Sequence, residues 1–235
     1  MTGQETSAER PTRNRRGRPS STGLNQQVIL DAALAIVEQD GPHSLTLRRL
    51  GTDLGVNHTA VLRHFSDKDE ILRGLAEQLV NRALEGFEPA ANWRATLTAM
   101  ARRIRAACVA HPGVAVLVAT RVSRREGEFR GAEAVVAALR EAGFEDRDAA
   151  RYYRALADTA LAAGAYEAAF ANLDPASLKG DREAWRREYL LASPAAYPNL
   201  AAVAPFLADI DEEEIFETTL GLILDAVELR SRRNG

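Results

Sequence analysis

Four residues suited to hydrogen bonding with nucleic acid lie close together in the chain: His58, Thr59, Arg63 and His64. Histidine and threonine can donate to or accept from base edges, and arginine can bind a guanine or a phosphate. What these side chains can do depends on the element that holds them. They belong to residues 45–65, whose pattern predicts two short helices joined by a tight turn. This is the helix–turn–helix layout, in which the second helix enters the DNA major groove.

Local signals define the ends of these two helices. Thr46 can cap the first helix, because its hydroxyl can accept a hydrogen bond from a free backbone N–H. Leu45 and Leu50 have the spacing of a hydrophobic staple around that cap. Gly55 follows where a left-handed C-terminal cap is required, and Asn57 can cap the next helix.

Apolar residues predict how the two helices pack together. Leu47, Leu50 and Leu54 share one helical face, and Gly51 lies within it, where the lack of a side chain lets a second helix cross closely. The second helix offers apolar residues to anchor itself: Val61, Leu62 and Phe65.

An ordered set of short sequence pieces includes and flanks this motif. The pieces are Ile29-Leu30-Asp31-Ala32-Ala33-Leu34, Leu47-Arg48-Arg49-Leu50, Leu54-Gly55-Val56, Arg63-His64-Phe65 and Lys68-Asp69-Glu70-Ile71-Leu72. In this order, over roughly residues 24–79, they resemble the N-terminal domain of the tetracycline-repressor (TetR) family of bacterial regulators. The resemblance implies that residues 24–86 form a three-helix DNA-binding domain of the helix–turn–helix type.

The resemblance also implies which residues contact DNA. The matching positions are Thr46, Arg48, Asn57, His58, Thr59, Ala60, Leu62, Arg63, His64 and Lys68. Arg48 and Lys68 place positive charge near helix N-termini, which themselves attract phosphate. Leu62 departs from the tyrosine that the family usually has, and it cannot donate a hydrogen bond. It either makes an apolar contact with a thymine methyl group or turns inward.

Charge is distributed unevenly along the chain. The formal net charge is −3, but the first twenty residues hold five arginines against two glutamates, so they carry +3 and the remainder carries −6. We expect residues 1–23 to form a flexible basic arm. Within it, Arg16 and Arg18 are the candidates for contacts with phosphate or the minor groove.

Composition predicts an all-α protein. Alanine, leucine, arginine and glutamate are abundant, these residues favour helices, and no segment alternates as a strand would. The single cysteine, Cys108, fits a reducing cytoplasm. We find no signal-peptide pattern and no apolar run long enough to span a membrane, so we expect no membrane partner and a cytoplasmic location.

Helical periodicity and breaker residues predict the remaining elements. The expected helices are Asn25–Gln39, one from Ser66 or Asp67 to Gly86, Trp93–Ala110, Val114–Arg125, Glu128–Ala142, Asp146–Asn172, Lys179–Leu191 and Asp211–Arg230. Between residues 174 and 205 four prolines predict a broken stretch, within which Lys179–Leu191 is the one helix.

Residues 87–235 resemble the effector-binding and dimerisation domain of the tetracycline-repressor branch. The matching pieces are His111-Pro112, Ala119-Thr120-Arg121, residues 137–144, Ala149-Ala150-Arg151-Tyr152 and the last helix from Phe216 to Leu224. The resemblance implies a homodimer, in which the helices of residues 146–172 and 211–230 pair, and a palindromic double-stranded DNA operator.

The resemblance implies, too, a cavity for a small organic effector. The candidate lining residues are Trp93, Met100, Ile104, Cys108, Leu117, Arg121, Phe129, Tyr152, Tyr166, Phe170 and Trp185. Relatives that bind magnesium-tetracycline hold the metal with a histidine, and the matching residue here is Leu117. Glu167 could match a carboxylate partner but alone makes no site. We therefore expect no metal, no cofactor and a non-metal organic ligand.

We predict a ligand-responsive transcriptional regulator, most simply a repressor, and two alternatives stay open. One is a helical enzyme that uses the C-terminal cavity. Four histidines, no metal-ligand spacing and no nucleophile elbow speak against it, and we predict no enzyme. The other is a DNA-binding regulator with no small-molecule effector.

Overall fold

The computed structural model describes residues 23–120, 123–171, 176, 179–180, 183–184, 187–207 and 209–234. Within these ranges every regular element is helical, as the composition predicts. The α-helices are α1 (Gln26–Asp40), α2 (Leu47–Asp53), α3 (His58–Val61), α4 (Lys68–Leu84), α5 (Trp93–Ala110), α6 (Pro112–Thr120), α7 (Glu126–Glu141), α8 (Asp146–Ala171), α9 (Pro198–Leu207) and α10 (Glu212–Asn234). A 3₁₀ helix, Pro42–Ser44, joins α1 to α2.

The first hydrophobic core holds the N-terminal helices together. Ile29 of α1, Leu50 of α2, Val61 of α3 and Ile71 of α4 are fully buried in it, and Phe65 lies beside them. Each comes from the apolar face of its helix, so burial of these faces fixes the orientation of α2 and α3.

The second hydrophobic core belongs to the C-terminal helices. Its members include Leu97 of α5, Leu139 of α7, Leu156 of α8 and Phe216 of α10. Helix α4 takes part in both cores, because Leu79 lies in the first core and its last residue, Leu84, lies in the second. A single continuous helix therefore connects the two halves of the chain.

Two predicted boundaries around α6 are wrong. The helix begins at Pro112 instead of Val114, because a proline is well accommodated in the first turn, where no N–H partner is needed. Its described part reaches Thr120, and the helix does not extend to Arg125, because Arg124 has a left-handed φ of 58°, which a helix cannot include. Residues 121–122 lie outside the described ranges.

A further correction concerns the proline-rich stretch before the last helix. Residues Pro198–Leu207 form helix α9, although the prolines predicted a broken stretch up to residue 205. Pro198 occupies the first position, where its missing N–H costs no helical hydrogen bond, whereas Pro205 lies inside the helix and lacks the N–H that would donate to the Ala201 carbonyl. The predicted helix Lys179–Leu191 extends too far, because residues 188–191 form turns.

Candidate DNA-binding surface and ligand cavity

Both helices of the predicted DNA-binding motif have the caps that the sequence predicts. Thr46 Oγ1 accepts a hydrogen bond from the backbone N–H of Arg49 at 3.1 Å, which starts α2. Asn57 Oδ1 accepts one from the N–H of Thr59 at 3.0 Å, which starts α3. Gly55 between them has a φ of 66°, a conformation that glycine adopts without strain.

Gly51 sets the close crossing of α2 and α3. A Cβ atom at this position would lie 2.9 Å from the carbonyl oxygen of Val56 and 3.0 Å from the backbone nitrogen of His58. Both are backbone atoms, so no side-chain rotation could make room. The glycine therefore determines how close the start of α3 can approach α2.

The exposed side of the motif carries the predicted contact residues. Seven of them are exposed: Thr46, Arg48, Asn57, His58, Thr59, Leu62 and Arg63. Ala60, His64 and Lys68 are half-buried. The backbone oxygen of His64 accepts a hydrogen bond from Gln26 Nε2 at 3.0 Å, which ties the end of the motif to α1.

Leu62 does not anchor the second helix, in contrast to the prediction. Its side chain is 39% exposed, whereas Val61 and Phe65 are buried. The expectation that Leu62 turns inward is therefore wrong. The reason is helical phase, because Val61 and Phe65 are four residues apart on the inner face and Leu62 is rotated away from it.

Three cations on this surface are available for an external partner. Arg48, Arg63 and Lys68 form no ion pair with any residue in the described ranges. Arg49, in contrast, pairs with Asp40 and lies 3.9 Å from Asp53. The remaining DNA-contact candidates, Arg16 and Arg18, lie outside the described residues.

Helix α6 begins against the end of α1. A Cβ atom on Gly113 would lie 2.4 Å from the carbonyl oxygen of Val37, and the Gly113 N–H donates to Glu38 Oε2 at 3.1 Å. His111 lies beside this contact, with its Nδ1 3.8 Å from Glu38 Oε1, and its ring contacts Arg82 of α4. Partial burial, followed by the charge of Arg82, lowers the pKa of His111.

A cavity of about 130 Å³ lies among α4, α5, α6, α7 and α8. Apolar side chains and a glycine form most of its wall: Ala76, Val80, Leu97, Met100, Ala101, Ile104, Val118, Gly131, Ala132, Val135, Leu156, Ala157, Ala160 and Leu161. Three polar residues complete it: Ser123, Glu128 and Tyr153.

Ser123 connects the cavity wall to α4. Its Oγ lies 2.9 Å from Glu128 Oε2 and 3.0 Å from Glu77 Oε2, and a hydroxyl can donate to only one carboxylate at a time. The other oxygen of Glu77 accepts from the N–H of Gly127 at 2.6 Å. Glu128 Oε2 also accepts from the N–H of Arg124 at 2.9 Å.

Among the predicted lining residues, Met100 and Ile104 line this cavity. Cys108 and Leu117 are buried in the first core, and Trp93 and Tyr152 pack against the second. Burial also raises the pKa of the Cys108 thiol to about 12.

The other candidates lie away from the cavity or outside the described residues. Phe129 and Tyr166 are exposed, and Phe170 packs edge-on against Tyr166, with the ring centroids 4.7 Å apart. Arg121 and Trp185 lie outside the described ranges.

Sequence reasoning missed Tyr153, Ser123 and Glu128. Helical phase could have identified the tyrosine, because Tyr153, Leu156 and Ala160 follow the spacing of one face of α8. The same phase relation places Glu128 on one face of α7 with Gly131, Ala132 and Val135. Ser123 precedes α7, and no periodic pattern marks it.

The described residues form neither a metal-binding cluster nor a membrane-spanning helix. In the described ranges no group of three or more His, Cys, Asp or Glu side chains is arranged to hold a metal ion. Within the same residues, no helix combines the length and the apolar character needed to cross a bilayer.

Two family models match the chain. The N-terminal model, described as bacterial regulatory proteins of the tetR family, matches residues 29–75. The second, described as the tetracyclin repressor-like C-terminal domain, matches residues 86–230.

Individual relatives agree with these matches. An HTH-type transcriptional regulator from Saccharopolyspora erythraea is 29% identical over 196 residues, which cover 83% of this chain and 80% of that protein. The class A tetracycline repressor from transposon 1721 in Escherichia coli is 28% identical over 212 residues, covering 89% of this chain and 93% of the repressor.

A solved structure shares the fold. The TetR family protein ActR from Streptomyces coelicolor, crystallised in complex with actinorhodin, superposes with a TM-score of 0.77 at 23% identity, covering 88% of this chain and 98% of ActR. The motif, the helical body and the two family models agree, and the chain belongs to the TetR family of DNA-binding transcriptional regulators.

Proposed function

We propose that the protein is a repressor that binds a palindromic operator as a homodimer and is released by a small organic effector. The observation that carries this proposal is the position of α4. This helix begins three residues after Phe65, at the end of the DNA-binding motif, and two of its residues, Ala76 and Val80, line the cavity. A ligand in the cavity therefore touches the helix that carries the DNA-binding motif.

The proposed domain organisation follows from this arrangement. Residues 1–23 are the basic arm, residues 24–86 the DNA-binding domain and residues 87–235 the effector-binding and dimerisation domain. The structure of ActR in complex with actinorhodin supports the proposal that the effector is an organic compound. The similarity to a tetracycline repressor supports the proposal that the protein is a repressor.

Exposed apolar side chains on the two longest helices support dimerisation. Tyr166 of α8 and Ile215, Leu222 and Leu229 of α10 are each more than half exposed in the single chain. Ile215, Leu222 and Leu229 are seven residues apart and therefore lie along one face of α10, and a continuous exposed apolar face usually marks an interface. One α3 helix reads only a few base pairs, so two related by a twofold axis are needed to read a palindrome.

The proposed mechanism is a shift between two spacings of the paired DNA-binding motifs. In one spacing both α3 helices reach successive major grooves, and in the other they do not. A ligand that binds the second arrangement more tightly shifts the population towards it and releases the operator. Helix α6 provides a second connection to the motif, because its Val118 lines the cavity and its Gly113 abuts Val37 of α1.

The test is selection of binding sites from random double-stranded DNA with the full chain, followed by measurement of the number of protomers per site. We expect a palindromic site that binds two or more protomers, with an affinity that falls steeply with salt. Removal of residues 1–23 should lower the affinity and the salt dependence. Failure to enrich any sequence above non-specific binding would contradict the proposal.

A regulator without a small-molecule effector is the second candidate, favoured by the size of the cavity. At about 130 Å³ it is smaller than most ligand pockets, which occupy roughly 300–1,000 Å³. A screen of small apolar compounds for thermal stabilisation of the full chain separates the two. Stabilising compounds that also weaken operator binding support the effector, and their absence supports the alternative.

A further inference from the structure

The polar side chains that line the cavity are acidic or neutral. Its lining includes one carboxylate, one phenol and one aliphatic hydroxyl, and no lysine, arginine or histidine lies among the lining residues that the structure describes. The rest of the wall is apolar, with Leu97, Met100 and Leu156 among its larger side chains. A ligand that fits must therefore combine an apolar body with a group that suits an acidic environment.

Glu128 retains an acceptor that no described residue uses. Its Oε2 accepts from Arg124 N–H and lies next to Ser123 Oγ, but its Oε1 forms neither a hydrogen bond nor an ion pair with a described residue. The Tyr153 hydroxyl likewise forms no hydrogen bond within the described ranges. Burial and then the negative charge of Glu128 raise the pKa of Tyr153, so the phenol stays protonated at neutral pH.

A second carboxylate increases the negative charge at this end of the cavity. Glu77 Oε2 lies 3.0 Å from the same Ser123 hydroxyl that contacts Glu128. The serine can satisfy one of the two carboxylates at a time. An anionic ligand would add a third negative charge in a largely apolar setting, whereas a cation would neutralise the existing charge.

Resting on the proposed function, we infer that the effector is a small apolar amine, bound as its ammonium ion to Glu128. The ammonium donates to Glu128 Oε1 and to the Tyr153 oxygen, both of which are acceptors without a described donor. The hydrocarbon part lies among Leu97, Met100 and Leu156. An apolar cavity of roughly 150 Å³ accommodates benzene, so a single ring with a short amine side chain is about the largest ligand for this cavity of about 130 Å³.

The test compares three probes of similar shape: benzylamine, benzyl alcohol and benzoate. Their dissociation constants for the full chain are measured by calorimetry at neutral pH. We expect benzylamine to bind about fivefold more tightly than benzyl alcohol, because its ammonium adds charge–charge attraction to the hydrogen bond with the Glu128 carboxylate and the neutral hydroxyl does not, and we expect benzoate not to bind. Equal or tighter binding of benzyl alcohol or benzoate, or no binding of benzylamine, would overturn the inference.

Glu128→Gln identifies the group responsible. In this variant the preference for benzylamine over benzyl alcohol should disappear while benzyl alcohol still binds, which shows that the cavity is intact. Glu126→Gln is the matched control, because Glu126 is exposed on the same helix and does not line the cavity, and it should keep the preference. Persistence of the preference in Glu128→Gln would overturn the assignment.

The outcomes for the inference and for the proposed function are distinguishable. If the chain selects an operator and a neutral compound releases it, the proposed function holds and the amine inference fails. If benzylamine binds through Glu128 but no DNA sequence is selected, the ligand site holds and the regulator proposal fails.

Discussion

At the scale of single residues, Arg63 is the sharpest test of the DNA-binding surface. It is exposed, lies two residues after the end of α3 and has no ion-pair partner among the described residues. We expect Arg63→Ala to weaken operator binding by about 1–3 kcal/mol if the arginine reads a base, or to reduce the salt slope by about one if it contacts a phosphate. Titration of the selected site by fluorescence anisotropy measures both.

Two comparisons make the Arg63 result specific. The variant should unfold at the same denaturant concentration as the wild-type chain, because an exposed arginine without partners contributes little to stability. Arg130→Ala, which removes an exposed arginine from α7, should leave operator binding unchanged. Unchanged operator affinity in Arg63→Ala would remove this residue from the interface.

Gly51 tests the crossing of α2 and α3. Gly51→Ala places a Cβ 2.9 Å from the Val56 carbonyl oxygen, so the helices must separate. We expect the free energy of unfolding to fall by about 1–3 kcal/mol, the usual cost of overpacking. Denaturant unfolding followed by circular dichroism measures the change.

Gly131→Ala is the control for that experiment. Its Cβ would lie 3.8 Å from Leu84 Cδ1, an ordinary contact, and the position is helical. Alanine should therefore leave the chain as stable or stabilise it by about 0.4–1 kcal/mol. If the two glycine variants were equally stable, the close crossing would not be a constraint on this motif.

At the scale of elements, the contact between α1 and α6 predicts a dependence of stability on pH. The pKa of His111 is lowered in the folded chain relative to its ordinary value of 6.5, chiefly by burial. As the pH falls below that value, the unfolded chain takes up a proton that the folded chain resists. This contribution to stability is fully present above pH 6.5 and is lost as the pH falls towards the lowered pKa.

Substitution of His111 isolates its contribution to the pH dependence of stability. The free energy of unfolding, measured by urea titration at several pH values between 7.5 and 5, should fall less steeply with acidification in His111→Gln than in the wild-type chain. His43→Gln removes a histidine that is exposed in the 3₁₀ helix and is the matched comparison. A His111→Gln profile that follows the wild-type slope would refute this account of the junction.

Local patterns explain which elements could be predicted from the sequence. The caps of α2 and α3 and the boundaries of α5 depend on neighbouring residues, so Thr46, Asn57 and the Trp93–Ala110 limits are visible in the sequence. Helix α9 was missed because prolines usually break helices, although Pro198 stands at the first position, where a proline is favoured.

The cavity was less predictable than the helices. Met100 and Ile104 follow the apolar face of α5, but the cavity depends on how five helices meet. Of the neighbouring tyrosines on α8, Tyr153 lines it while Tyr152 packs on Phe144, and a rotation of one residue decides between them. Ser123 is brought to the wall by the loop before α7, whose path no local pattern specifies.

At the scale of the whole molecule, continuous connections join the cavity to the DNA-binding motif. Helix α4 contributes to both cores, Glu77 on it bonds to the loop that bears Ser123, and α6 runs from the cavity wall to α1. Coupling between two such sites typically changes affinity 5–150-fold. The same magnitude is expected here for operator release by a ligand.

The measurement that tests this claim most directly is operator affinity with and without a stabilising compound, in the wild-type chain and in Gly131→Leu. Gly131 lines the cavity and has room for a Cβ, so we expect a leucine at this position to occupy part of the cavity volume. We predict that both proteins bind the operator equally well, that the compound weakens wild-type binding at least fivefold, and that the variant does not respond. A compound that binds the wild-type cavity without changing operator affinity, or that releases the variant equally, would contradict the account.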